Sequence, residues 1–139
     1  MGSSVSKHEE NMEGTEWVKS KSKSKNNKSR TVLDFETLYP ELSKAFNKIQ
    51  KEQYELFSAK MLDYGLGNIS LGSELENKED KDFSIMGIWL RCNDKINRLK
   101  NLIKRGGDSY VKNEPLIDSF IDLSNYGIIA QLVLRGHWK

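Results

Sequence analysis

The chain has 139 residues, enough for one modest domain, with 22 basic and 20 acidic side chains and a formal charge of +2. That balance excludes a strongly basic nucleic-acid binder and an acidic solvating chain, so no sequence-specific nucleic-acid contact is expected. One cysteine excludes a disulfide scaffold, two histidines are too few for a closed Cys/His zinc site, and no run of about 18 apolar residues is present to span a membrane.

Residues 1–30 carry seven basic and four acidic side chains and only Val5, Met12, Trp17 and Val18 as candidates for burial. Such a segment cannot offset its own ordering entropy and reads as a disordered Ser/Lys-rich tail. Its opening Met-Gly-Ser-Ser-Val-Ser matches a myristoylation pattern with Gly2 as acceptor. A tag remnant or a chance match explains the same letters. The Lys-Ser-Lys-Ser-Lys run at 21–25 would assist an anchor on an anionic surface, or simply keep the tail soluble. No signal-peptide apolar region is evident, and the lone cysteine fits a reducing compartment, so the expected location is the cytoplasm.

The folded part is expected to start near Thr31. Leu33, Phe35 and Leu38 suggest a short helical turn with Asp34 as its cap, and Pro40 suits the first turn of the next helix. Residues 41–63 then read as a helix whose inner face is Leu42, Ala45, Phe46, Ile49, Gln53, Leu56, Phe57 and Met61, ended by Gly65. Residues 65–83, with their glycines and mixed charges, read as an extended loop, either a surface excursion or a flap over a site.

A second helix is expected from about Asp82 to Lys104, with a core stripe of Ile85, Ile88, Trp89, Cys92, Ile96, Leu99 and Ile103. Cys92 on that stripe reads as a small buried hydrophobe. Arg105-Gly106-Gly107 closes the helix. The third runs from about Glu114 to Arg135 and is apolar almost all round, the pattern of a central or interfacial helix. The expectation is therefore an all-α protein, a small bundle of three main helices completed by homo-oligomerisation.

The polar groups of the third helix are the informative ones. Glu114, Asp118, Asp122 and Asn125 recur at intervals of four, four and three, on a stripe bordered by isoleucines. Acids at that spacing repel one another unless something neutralises them. A divalent cation could do so, since Mg²⁺ takes a few carboxylates together with phosphate oxygens and water. So could Arg91, Lys95 and Arg98, which line one flank of the second helix and could equally hold a phosphate chain. Interhelical salt bridges and a metal–phosphate site both fit the pattern. Asn125 and Tyr126 could contact a base or sugar, or serve as core groups. Glu52 and Glu55 on the first long helix could complete a carboxylate cage, although Glu55 falls toward the polar flank. Asp63, a carboxylate at a helix C-terminus, is unfavourable against the helix dipole and hints at an outside partner. His137 and Trp138 could cover a ligand or an interface.

Asp63-Tyr64-Gly65, Gly87-Ile88-Trp89-Leu90-Arg91, Asp94-Lys95-Ile96-Asn97-Arg98-Leu99, Glu114-Pro115-Leu116-Ile117-Asp118 and Asp122-Leu123-Ser124-Asn125-Tyr126 together resemble the nucleotide modification associated domain 1 family of phages and bacteria. The resemblance covers roughly residues 45–138. That family looks like a helical relative of MazG-type nucleotide pyrophosphohydrolases. The resemblance implies a Mg²⁺-dependent hydrolase that splits nucleoside triphosphates into monophosphate and pyrophosphate in the metabolism of ordinary or modified nucleotides. It implies Asp118 and Asp122 as metal ligands, Glu114 as ligand or base, and Glu52 and Glu55 at the place of the first acidic pair. Lys95 and Arg98 would contact phosphates. The chain differs from the enzyme pattern in the four-residue spacing of Glu114 and Asp118, in Pro115 and in the long 65–83 segment. A nucleotide-binding or sequestering protein that does not cleave its ligand, and a small helical adaptor, are the alternatives.

Overall fold

The computed structural model describes residues 27–139, so the tail reading, Gly2 included, lies largely outside the described residues. Every regular element among them is a helix: α1 (Arg30–Leu38), α2 (Pro40–Tyr64), α3 (Gly67–Ser70), α4 (Lys78–Lys104) and α5 (Leu116–Leu134). None is long and apolar enough to cross a membrane. The chain divides into two units, residues 1–47 and 48–139, with the division falling inside α2.

In the first unit, α1 starts earlier than the Leu33–Leu38 pattern suggests. Ser29 is its cap: the Ser29 Oγ accepts a hydrogen bond from the Val32 N–H at 3.3 Å. Asp34 is not the cap but lies inside the helix, 2.9 Å from Arg30 one turn back. Pro40 opens α2, where its missing N–H costs nothing. Leu42 and Phe46, expected to face inward, are 59% and 57% exposed.

In the second unit α2 ends at Gly65, whose φ of 70° lets its N–H turn back to the Met61 carbonyl at 2.9 Å. Of the expected inner face, Phe57 and Met61 pack on the core, whereas Ile49 and Leu56 remain exposed. The segment after Gly65 is shorter and better packed than a free loop. It forms α3 and a turn, then enters α4 at Lys78 rather than Asp82, because Asn77 Oδ1 accepts from the Asp80 N–H at 2.8 Å and Glu79 and Asp80 sit favourably in the first turn. Two of its residues, Ile69 and Leu75, belong to the core. Leu75 adopts a left-handed φ of 55° while only 7% exposed. Its backbone strain of about 1–2 kcal/mol is offset by about 1.5–3 kcal/mol from burying the side chain.

The core gathers Ile69, Leu75, Ile88, Ile129, Val133 and Trp138, with Phe57, Met61, Ile85, Cys92 and Tyr126 packed against it. α4 turns a different face inward from the one its hydrophobic stripe suggests. Ile88 and Leu99 are buried as expected, but Trp89, Ile96 and Ile103 are each more than half exposed, and Ser84 and Leu102 take inward places. Ser84 is accommodated because its Oγ donates to the Ile69 carbonyl at 2.7 Å. α4 is closed by Gly107, which at φ 93° donates to the Leu102 carbonyl at 2.8 Å. α5 begins at Leu116 with Pro115 as its cap residue, so Glu114 precedes the helix instead of lying in it. Its buried positions are Ser119, Asn125, Ile129 and Val133, while Ile117, Phe120 and Ile128 face outward at 59%, 50% and 44% exposure. The inward face of the helix is thus mixed, with Ser119 and Asn125 of the polar positions buried beside Ile129 and Val133.

Candidate functional site

Three helices bring the polar stripe and its partners together. From α4, Lys95 Nζ lies 2.8 Å from Asp122 Oδ2, and from α2, Lys60 Nζ lies 3.1 Å from Asp122 Oδ1. One carboxylate on α5 therefore answers two ammonium groups on two other helices. Arg98 is committed more deeply. Its guanidinium donates to Ser119 Oγ at 2.6 Å, to Ser109 Oγ at 3.4 Å and to the Glu114 backbone carbonyl, and stands 3.9 Å from the Glu114 carboxylate. Arg98 thereby ties the start of α5 and the preceding loop to α4. Arg91 donates from Nη2 to the Asn68 carbonyl at 2.9 Å and to Asn68 Oδ1 at 3.1 Å, which fastens α3.

Two cavities flank Asp122. The first, of about 220 Å³, is walled by Phe57, Tyr64, Tyr126 and Trp138, with Arg91 and Asn125 on its lining. The second, of about 330 Å³, is polar and holds Lys95, Arg98, Glu114, Asp118 and Ser119. Lys60 and Asp122 line both, so the two spaces adjoin at this ion pair. Asn125 is 7% exposed, and its Oδ1 is buried without a hydrogen-bond partner. A buried acceptor left unpaired costs about 1–3 kcal/mol. A third space, an apolar groove of about 360 Å³ between α2 and α5, is lined by Ile49, Glu52, Leu56, Ile117 and Phe120.

The electrostatics follow from the pairing. Burial works against ionising Asp122, yet the hydrogen bonds and charges of Lys95 and Lys60 outweigh it and hold the carboxyl below its ordinary value of 3.8. The bond to Asp122 is the main cause raising Lys95 above its ordinary value of 10.5. A carboxyl lowered on folding contributes stability that is present above 3.8 and lost as pH falls through the folded value. A lysine raised on folding contributes stability present below 10.5 and lost as pH rises through the folded value. Melting temperature followed between about pH 2 and 6 is accordingly expected to fall more steeply for the wild-type chain than for Asp122→Asn. Superimposable acid limbs would contradict the pairing. Burial pushes the Cys92 thiol up, in keeping with a packing residue and not a nucleophile.

The other residues singled out by sequence fall as follows. Asp118 lines the polar cavity beside Asp122. Glu114 is there too, with its side chain 59% exposed. Glu52 is exposed, 3.7 Å from Lys48 on its own helix, and lines the apolar groove instead. Glu55 and Asp63 are exposed. Asn125 and Tyr126 stand in the aromatic cavity, and Trp138 forms part of its wall, donating from Nε1 to the Leu66 carbonyl at 3.0 Å. His137 is exposed. Among the described residues no group of three or more histidine, cysteine, aspartate or glutamate side chains comes together as a metal site.

Sequence reasoning missed Lys60, Phe57 as a cavity wall, and Ser119. A signal for Lys60 was present, since it follows Phe57 by three residues and precedes Met61 by one, on the side of α2 that meets the core. Ser119 is a small polar residue between Asp118 and Phe120, a place where a donor from a neighbouring helix is to be sought. Comparison with protein-family models, with curated proteins and with solved structures finds no match for this chain.

Proposed function

We propose that the chain binds a nucleotide, with the aromatic base in the cavity walled by Phe57, Tyr126 and Trp138 and the phosphates toward Lys60 and Lys95. The observation that carries this reading is the aromatic cavity itself, which Phe57, Tyr126 and Trp138 line together with Asn125 and the cations Lys60 and Arg91. A planar base supplies a face for the aromatic wall and polar edge groups that a side-chain amide recognises. A phosphate chain supplies the charge that lysine and arginine select. The resemblance to the nucleotide modification associated domain 1 family supports the same ligand class. Binding without cleavage is the simpler reading, because the two lysines already balance the Asp122 charge.

A second reading, a Mg²⁺-dependent nucleoside triphosphate pyrophosphohydrolase, is favoured by one observation: Glu114, Asp118 and Asp122 share the polar cavity with Lys95 and Arg98. Bound magnesium would polarise phosphoryl oxygens and activate water there. In that reading Asp118 and Asp122 hold the ion once the lysines have turned to the phosphates.

One experiment tests both. Calorimetry with common ribo- and deoxyribonucleotides, in Mg²⁺ and in EDTA, is followed by chromatography of the ligand. Expected is saturable binding in the micromolar range, about −8 kcal/mol, with the ligand recovered intact. Monophosphate and pyrophosphate formed only with Mg²⁺ would move the protein to the hydrolase reading. No binding by any nucleotide would remove both.

A further inference from the structure

The Asp122 carboxylate sits between Lys60 Nζ and Lys95 Nζ, at 3.1 and 2.8 Å, giving one oxygen to each. The two lysine side chains are 48% and 32% exposed, while the carboxylate is 19% exposed, so an incoming anion reaches the cations more readily than it reaches the acid. All three groups border the polar cavity, and Lys60 and Asp122 border the aromatic one as well.

We propose that Lys60 and Lys95 form a phosphoryl subsite whose resident counter-ion is Asp122, and that a phosphate group of the ligand enters by displacing Asp122 from Lys60. This rests on the nucleotide reading above and states how its phosphate is admitted. Lys60 is the partner released because its contact is the longer and its side chain the more open. A phosphate monoester carries about −1.5 to −2 charges and three acceptor oxygens, so it satisfies both ammonium groups better than one carboxylate does. Asp122 stays with Lys95, where it repels the arriving anion at close range. The acid therefore keeps the cavity closed to weak anions and lowers the affinity for strong ones. It acts on the ligand through the lysines and is a positioning residue.

The consequence has an unusual sign. Removing an acid from the site strengthens binding, whereas a metal-ligand role for Asp122 requires that the same change weaken it. The test is calorimetry of inorganic pyrophosphate against the full wild-type chain, Asp122→Asn and Asp94→Asn. Asp94 is an exposed acid on α4 that reports the general effect of losing one negative charge. Asp122→Asn is expected to bind about five- to tenfold more tightly than wild type, and Asp94→Asn within about twofold. Equal or weaker binding by Asp122→Asn overturns the proposal and, if the wild-type chain binds, leaves the nucleotide reading standing. Absence of pyrophosphate binding by wild type and Asp122→Asn alike overturns the subsite, while the nucleotide calorimetry above decides the nucleotide reading separately.

A measurement on the wild-type chain guards against an Asp122→Asn variant that does not fold. With ¹³C-carboxyl aspartate and the Asp122 signal assigned through Asp122→Glu, saturation with pyrophosphate is expected to shift that resonance. A signal that stays in place under saturation overturns the displacement.

Discussion

Trp138→Ala is expected to remove a large part of the stability of residues 48–139. Trp138 is 7% exposed, belongs to the same core cluster as Ile69, Ile88 and Val133, and meets Phe57 edge-on with ring centroids 6.4 Å apart. Its Nε1–H donates to the Leu66 carbonyl at 3.0 Å, which holds the turn between α2 and α3. Truncating a buried tryptophan leaves a cavity and costs about 3–5 kcal/mol. Small domains have only about 5–15 kcal/mol in total, so the variant is expected to melt far below wild type or not to fold. Trp138→Phe keeps a ring against Phe57 and loses the indole donor, at a cost of about 1–2 kcal/mol. Urea titration followed by circular dichroism separates the three chains. A Trp138→Ala variant within about 1 kcal/mol of wild type would show that Trp138 does not belong to the core.

Asn125→Leu is expected to do the opposite, melting later than wild type while losing the ligand. The Asn125 Oδ1 is buried without a partner, and leucine has nearly the shape of asparagine without a polar atom to desolvate. Removing the orphan acceptor is worth about 1 kcal/mol, a rise of roughly 4 °C for a unit of this size. The same change removes the amide from the lining of the aromatic cavity, so under the proposed nucleotide reading the calorimetric signal is expected to disappear. A protein rarely retains an unpaired buried amide at a cost in stability unless the amide is used. If Asn125→Leu is less stable than wild type, the amide is satisfied within the fold and the inference from it fails. If the variant is more stable but binds as well as wild type, the base lies elsewhere.

These two residues also separate what was legible in the sequence from what was not. Asn125 was visible on the polar stripe, but whether it pairs within the core or faces a cavity depends on which helices surround it. Arg98 shows the same limit from the other side. Its place beside Arg91 and Lys95 suggests phosphate contact, and the fold gives its guanidinium to Ser119, Ser109 and the Glu114 carbonyl. Spacing along α4 cannot distinguish a charge that anchors the next helix from one that waits for a ligand.

The all-helical character and the approximate ends of α2, α4 and α5 were determined by the sequence itself. Helix formation answers to local periodicity, and its boundaries to groups within a turn: Pro40 at the start of α2, Gly65 after it, Gly106 and Gly107 after α4. The start of α4 was legible in Asn77 with Glu79 and Asp80, although the more conspicuous apolar stripe draws attention further along. The faces were decided only by tertiary structure. α5 is apolar all round, so hydropathy assigns it no direction, and its orientation was settled by Lys60, Lys95 and Arg98 from the two neighbouring helices. Those cations compensate Asp122 and Ser119 in the interior and leave Ile117 and Phe120 outside. Burying a polar group is costly or neutral according to its partners, and these partners stand 20 to 60 residues away along the chain, at about the separations of 21 and 62 that the structure brings together.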